Sequence, residues 1–340
     1  MKWGPAAYLG VLLAVTTACS APAPADDGST EDDLAGTHRW CDPQGKRTHP
    51  LELAVEPGAK SSPWTDAMAG AHTSVHVLLY QMGAGPILDG LVAAAHAGLD
   101  VRVILDVSQK PVNDKFKTQL EAAGAKVLWS DPQFSFMHAK VMIVDTSVAV
   151  VSTGNYAATQ LDGERNYVMT DTDAHDVAAL GALFDADFSR TAPDLTCTRL
   201  LVSPVNARDR ILAVIASAKH ELLVESMQLA DSAVRDAIAA RKDAGVSVRV
   251  ILADPSWIAA NGAAATFLSS HGIEARRIVS PKVHVKSILV DGKIAYAGSE
   301  NLSQTSLDKN REVGLVVTEA ANVAEMHATF EGDWTAATAF

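Results

Sequence analysis

Basic side chains are in deficit in this 340-residue chain: 28 Lys and Arg stand against 40 Asp and Glu, a formal net charge of -12. Proteins whose main partner is nucleic acid usually carry a net basic footprint, so this balance argues against bulk polyanion binding and leaves room only for a local basic site. Cysteine is scarcer still, at positions 19, 41 and 197, which excludes a scaffold held by disulfides alone. No run of 18 or more apolar residues exists outside the N-terminus, so nothing in the body of the chain should span a membrane. The histidines at 38, 49, 72, 76, 96, 175, 220, 271 and 327 form no HExxH pattern, and each reads as a surface or core residue rather than a metal ligand. What the chain does have is apolar residues, 48% against 20% charged. That is enough for a sizeable core and excludes a disordered chain.

The N-terminus reads as an export signal over residues 1–18. Lys2 supplies a positive start, Ala6 to Val15 an apolar core, and Thr17 and Ala18 the small residues before a cleavage point. Cys19 follows directly, a placement that resembles the bacterial lipobox, although Thr16 stands where a Leu-like residue is usual. The resemblance implies that Cys19 is acylated and anchors the exported protein to the cell membrane; the alternative is a plain secretory signal. Residues 19–39 are rich in Pro, Ala and acid and should act as a solvated tether. If Cys19 carries lipid, Cys41 and Cys197 remain as a natural disulfide pair.

From about Trp40 the body is a duplication. AGLDVRVIL at 97–105 is answered by AGVSVRVIL at 244–252, HAKVMIVD at 138–145 by HVKSILVD at 284–291, and FDADF at 184–188 by FEGDW at 330–334. The offset drifts only from 147 to 146, so two copies of one domain are expected, 40–190 and 191–340. In each, strand-like runs (Val75 to Tyr80; Leu222 to Glu225) lead into helical patterns that stop at Gly98 and Gly245, and further strands follow at once. Tyr80 and Ser226 end matching strands and are candidates to touch a ligand. Strands alternating with helices predict an α/β fold of two tandem α/β/α sandwich domains with mixed sheets.

The repeated motif carries the chemistry. It reads His138, Lys140, Asp145, Asn155, and again His284, Lys286, Asp291, Asn301. Residues two apart on a strand share a face, so each His stands beside its own Lys. An imidazole beside a cation suits a phosphodiester: imidazole titrates near neutrality and can serve as nucleophile or as acid. The lysines, with the amides of Asn155 and Asn301, can neutralise and hydrogen-bond the phosphoryl oxygens; Thr153 and Ser299, next to these loops, are further substrate-binding candidates. Asp145 and Asp291 fall on the opposite face and are given a structural, charge-pairing role.

The doubled HxKxxxxD motif, with GN at 154–155 and GSEN at 298–301, resembles the phospholipase D superfamily over nearly the whole body of the chain. The resemblance implies two domains related by a pseudo-twofold axis, an internal pseudo-dimer in a monomer, whose motifs meet in one active site. It also implies a mechanism without metal or other cofactor, in which one His attacks phosphorus and the other protonates the leaving group. Where family members often place a carboxylate that orients the motif His, this chain has Glu312 in the second half and Asn166 in the first. Paired with Glu312, His284 is expected to be the general acid, which leaves His138 as the nucleophile. Glu164, two residues before Asn166, could restore the symmetry. Arg165 and Arg311 flank the orienting positions and are expected to pair with the motif acids. Export, anchoring and acidity favour a phospholipid substrate, and since the resemblance implies N-terminal transmembrane helices in cardiolipin synthases of similar motif, which are not read after the signal, hydrolysis to phosphatidate is expected. A cardiolipin synthase-like phosphatidyltransferase, an extracellular nuclease or phosphodiesterase, and a non-catalytic binding protein are the alternatives.

Overall fold

Helix stops and apolar alternation set the same mixed sheet twice. The computed structural model describes residues 41–340; the expected signal peptide, Cys19 and the tether lie outside the described residues. In the first half the strands are β1 (Glu52–Glu56), β2 (Ser74–Leu79), β3 (Asp100–Leu105), β4 (Lys126–Trp129), β5 (Lys140–Val144), β6 (Val148–Ser152) and β7 (Glu164–Asp171). The helices between and after them are α1 (Ser62–Ala69), α2 (Pro86–His96), α3 (Lys110–Ala122), the short α4 (Ala158–Leu161) and α5 (Ala174–Ser189). The second half repeats this with β8 (Leu201–Ser203), β9 (Glu221–Ser226), β10 (Ser247–Ala253), β11 (Glu274–Ile278), β12 (Lys282–Val283), β13 (Lys286–Val290), β14 (Ile294–Gly298), β15 (Glu312–Val317) and β16 (Thr338–Ala339). Its helices are α6 (Ala207–Ala216), α7 (Ser232–Asp243), α8 (Ala260–Ser270), the short α9 (Gln304–Asp308) and α10 (Ala320–Ala336). None of the described helices is long and apolar enough to cross a membrane.

The first sheet runs β1-β7-β6-β5-β2-β3-β4 and the second β16-β11-β10-β9-β13-β14-β15-β8. In both, the strands joined by helical crossovers are parallel and the motif strands antiparallel. Gly98 and Gly245 each sit at φ 86°, the left-handed stop that the sequence signals. Alternation then sorts side chains between two faces: Val75, Val77 and Leu79 of β2 pack under α1 and α2, while Leu78 points the other way, into a core that both halves share.

That shared core is the centre of the molecule. It takes Val141 and Ile143 from β5, Leu289 from β13, Leu180, Leu183 and Phe184 from α5, and Val323, Met326 and Phe330 from α10. The layers are therefore outer helices, sheet, the paired helices α5 and α10, sheet, outer helices. The two sandwiches expected from the sequence share their inner helical layer.

Three connections hold the halves in register. The first is the Cys41–Cys197 disulfide, with Cα atoms 4.4 Å apart, which ties the N-terminal segment to the link between the halves. Beside it, Asp176 accepts from buried Arg47 at 2.8 Å and buried Arg199 at 2.9 Å, and Arg47 also reaches the Val316 carbonyl of β15 at 2.9 Å. The second is reciprocal: Arg165 makes a bidentate pair with Asp333 (2.6 and 2.8 Å) and Arg311 with Asp187 (both contacts 2.9 Å). Each arginine crosses to the other half, to the Asp of the repeated FDADF/FEGDW segment, instead of meeting Asp145 or Asp291 as expected. The third is the crossing of the motif segments: β12 pairs in parallel with β7 of the first half, and Met137 bridges to Arg311 of the second.

Candidate active site

Each motif histidine is placed by the half it does not belong to. The backbone N–H of His138 donates to the Arg311 carbonyl at 2.8 Å, and that of His284 to the Arg165 carbonyl at 3.2 Å. This crossing carries both rings to one cavity of about 620 Å³, lined from both halves. Of the motif residues, His138, His284, Asn155 and Asn301 all line it. Asn155 and Asn301 each end in a buried side-chain oxygen with no hydrogen-bond partner among the described residues, polar capacity left for a ligand.

Lys140 and Lys286 do not line the cavity. Both are fully buried directly behind it, and each ammonium donates to the carbonyl of its own motif histidine. Lys286 also reaches the Thr153 carbonyl at 3.3 Å, and Lys140 lies 5.3 Å from the Tyr80 ring centre. Burial pushes both lysines down, Lys286 to about 8, against the pull of neighbouring Glu312.

The orienting partners differ from those the sequence suggests. Glu312 lies on His138, its Oε2 2.7 Å from Nδ1, and not on His284. The swap follows from the crossed backbone, since β15 runs beside the first half's motif segment. Burial opposes ionising Glu312, but His138 and Lys140 beside it outweigh this and hold its carboxyl below the usual range. Its other oxygen accepts from Ser306 Oγ and, at 2.8 Å, from Asn310 Nδ2. His284 Nδ1 instead meets the Asn166 carbonyl oxygen at 3.1 Å and Glu164 Oε2 at 3.3 Å. Burial, then Lys286, Lys140 and His138, drive its pKa well down. His138 is also lowered by burial, with Glu312 opposing. The argument that made His284 the acid because Glu312 supports it is overturned.

Other expectations move as well. Thr153 and Ser299 sit behind the site, not in it: Thr153 Oγ1 donates to Asn166 at 2.9 Å and accepts from the Tyr167 N–H at 3.0 Å, while Ser299 Oγ accepts from the Val313 N–H at 3.1 Å. Asp145 and Asp291 are structural, but through backbone hydrogen bonds and not charge pairing. Asp145 gathers the N–H groups of His72, Thr73 and Ser74, and Asp291 those of Lys219, His220 and Glu221. Gly154 must lack a side chain, because a Cβ there would lie 2.6 Å from the Asn166 amide.

Tyr80 lines the cavity, its ring 4.7 Å from His138, while Ser226 is buried elsewhere, donating to the Gln228 carbonyl. Strand pairing gives the reason: Leu79 opposes Lys140 and Ser226 opposes Lys286, so the true counterpart of Tyr80 is Met227, which lines the cavity too. Sequence reasoning also missed Trp257, with its ring 6.0 Å from His284, and the amides Gln81, Gln160, Gln228 and Gln304. Asn310 answers Glu164 in the repeat alignment, a signal that could have found it; Ser306 answers Gln160 and carries no such signal. Away from the cavity, Glu221, His327 and Glu331 converge closely enough to hold a cation, but Arg249 bonds both carboxylates.

A family profile described as "Cardiolipin synthase, PLD-like domain" matches residues 65–188 and again 211–334. Minor cardiolipin synthase ClsB of Bacillus subtilis (strain 168) is 25% identical over 304 residues, covering 77% of this chain and 76% of that protein. Probable cardiolipin synthase YwiE of the same organism is 22% identical over 313 residues, covering 78% of this chain and 62% of that one. Among solved structures, phosphatidylserine synthase of Haemophilus influenzae Rd KW20 superposes with a TM-score of 0.68 at 13% identity, over 85% of this chain and 87% of that one. Polyphosphate kinase from Porphyromonas gingivalis gives 0.67 at 17% identity, over 88% of this chain and 48% of that one. The structural likenesses show the tandem fold, and the doubled profile match, which takes in both motif histidines, shows that the chain belongs to the PLD-like domain family of the phospholipase D superfamily.

Proposed function

We propose that the protein is a phosphatidyltransferase, moving a phosphatidyl group from a phospholipid to an alcohol through a phosphohistidine. The observation that carries this reading is the cavity wall. Two histidines face a space framed by neutral amides and hydroxyls (Gln81, Gln160, Gln228, Ser303, Thr305) and by Tyr80, Phe136, Met227 and Trp257, with no Lys or Arg among its lining residues. Such a wall suits a diester with an apolar arm and a neutral polyol arm, and offers little to a polyanion along its length. The relatives named cardiolipin synthases support transfer over the hydrolysis first expected.

The roles follow from the orienting groups. Glu312 accepts the Nδ1 proton of His138, which fixes the tautomer with Nε2 free to attack and stabilises the positive ring that carries the phosphoryl group. As the His138–phosphorus bond forms, the bond to the leaving oxygen breaks and His284 gives that oxygen its proton. The acceptor alcohol then loses its proton to His284, attacks phosphorus and releases His138. The lysines behind the rings and the amides of Asn155 and Asn301 counter the charge that builds on the phosphoryl oxygens.

The test offers the purified protein phosphatidylglycerol, phosphatidylcholine and single-stranded DNA, with and without added glycerol, and identifies the products. Transfer predicts that lipid products change with the alcohol supplied and that acid-labile phosphate is trapped on His138. Phosphatidate as the sole product at every glycerol concentration would show hydrolysis instead, and cleavage of DNA a nuclease. Export and anchoring through Cys19 belong to the same proposal; Cys19→Ala should release the protein from the membrane fraction, and retention there would refute the lipid anchor.

A further inference from the structure

The two halves carry an acid and an amide at the orienting strand in opposite order. The second half has Asn310, Arg311 and Glu312; the first has Glu164, Arg165 and Asn166. The two arginines are equivalent, each making the reciprocal pair across the interface, so the flanking positions correspond one to one. Residues two apart on a strand share a face, and in each half both flanking side chains turn toward the histidine of the other half. In the second half the distal residue, Glu312, touches the ring and Asn310 supports it from behind at 2.8 Å. In the first half the distal residue contributes only an amide oxygen, and the proximal residue brings its carboxylate to 3.3 Å from the same ring nitrogen.

We infer that Glu164 has taken over the charge-partner role for His284 from the neighbouring strand position, as a positioning residue that lets His284 hold the proton it donates. This rests on the transfer mechanism above. Lys286, Lys140 and His138 all act on His284 and disfavour a protonated ring, while Lys282 lies near Glu164. Glu164 lines the cavity, and its Oε2 accepts no aligned hydrogen bond among the described residues. It is the carboxylate on hand when the ring takes up a proton. Unlike the fully buried Glu312, it stands at the cavity edge, so the acid's charge partner is reached by whatever enters the site.

The experiment compares Glu164→Gln with wild type on two diesters, one with an alkyl leaving group that needs a proton and one with p-nitrophenolate that needs little. The inference expects the alkyl diester to lose about tenfold more turnover than the nitrophenyl ester, and the alkaline limb of the pH–rate profile to move about one unit lower, since the acid form of His284 is then lost earlier. The transposed double variant Glu164→Asn/Asn166→Glu should recover both, because it rebuilds the order found in the second half. Equal losses on the two esters with an unmoved profile would overturn the inference. So would a double variant that melts like wild type yet stays as impaired as Glu164→Gln. Phosphohistidine trapped in wild type separates the two failures: its presence with a flat Glu164→Gln result removes only the role of Glu164, while its absence removes the transfer mechanism and the inference with it.

Discussion

The motif side chains were readable as a list, but which touches which was not. His, Lys and Asn recur in fixed register, so their membership of the site follows from periodicity alone. The partner of each histidine depends on a crossing between halves that no local pattern encodes, and so Glu312 was expected on His284 although it serves His138. Replacing that carboxylate by an amide should strand His138 in the wrong tautomer. Glu312→Gln is expected to lower kcat by about 10³-fold or more, and Ser306→Ala, which removes one of the donors holding Glu312, by far less. Steady-state rates of the purified variants check this; comparable losses in both would mean that Ser306 acts on substrate directly. Lys286 gives a second test. Its pKa falls to about 8 in the fold and returns to about 10.4 when unfolded, so between these values the unfolded chain binds more protons and stability contributed at this position rises with pH. Measured by denaturant unfolding, wild type should gain about 3 kcal/mol relative to Lys286→Met between pH 7.5 and 10.5. A constant difference would show that the buried ammonium costs nothing.

At the scale of strands and helices, the repeat predicted nearly every element, because apolar alternation and the stops at Gly98 and Gly245 are local signals. What escaped were pairings between halves. The short strand β12 and the bridge at Met137 join segments more than a hundred residues apart, and neither has a sequence signature beyond the motif they precede. The reciprocal arginine pairs escaped for the same reason: Asp187 and Asp333 were visible only as part of a repeated FDADF/FEGDW segment. The Arg311–Asp187 pair is buried, and removing one partner leaves an uncompensated charge. Asp187→Asn should therefore cost about 3 kcal/mol or more. A double-mutant cycle with Arg311→Met should show a coupling energy well above the ~0.5 kcal/mol within which distant sites add. Additive losses would mean the pair is incidental.

For the molecule as a whole, the two tandem α/β domains expected from the sequence are found, and they share a common central layer. Sequence duplication counts copies but says nothing of the area between them, and α5 and α10 read as ordinary amphipathic helices until their second neighbours are known. The disulfide was legible only through arithmetic on three cysteines. It closes a separation of 156 residues, and on the chain-entropy model its reduction should cost about 5 kcal/mol; unfolding with and without reductant tests this, and an unchanged midpoint would show that the native contacts already supply the constraint. The crossed placement of the histidines has one more consequence. Each repeat supplies the orienting partner for the histidine of the other, so the two are coupled within this chain. A chimera joining the first repeat of this protein to the second repeat of a relative would combine a histidine with an orienting strand shaped for a different partner, and should stay inert until the residues at 164, 166, 310 and 312 are matched as a set. The duplication thus behaves as a lock and key within one gene, free to diverge only in complementary steps.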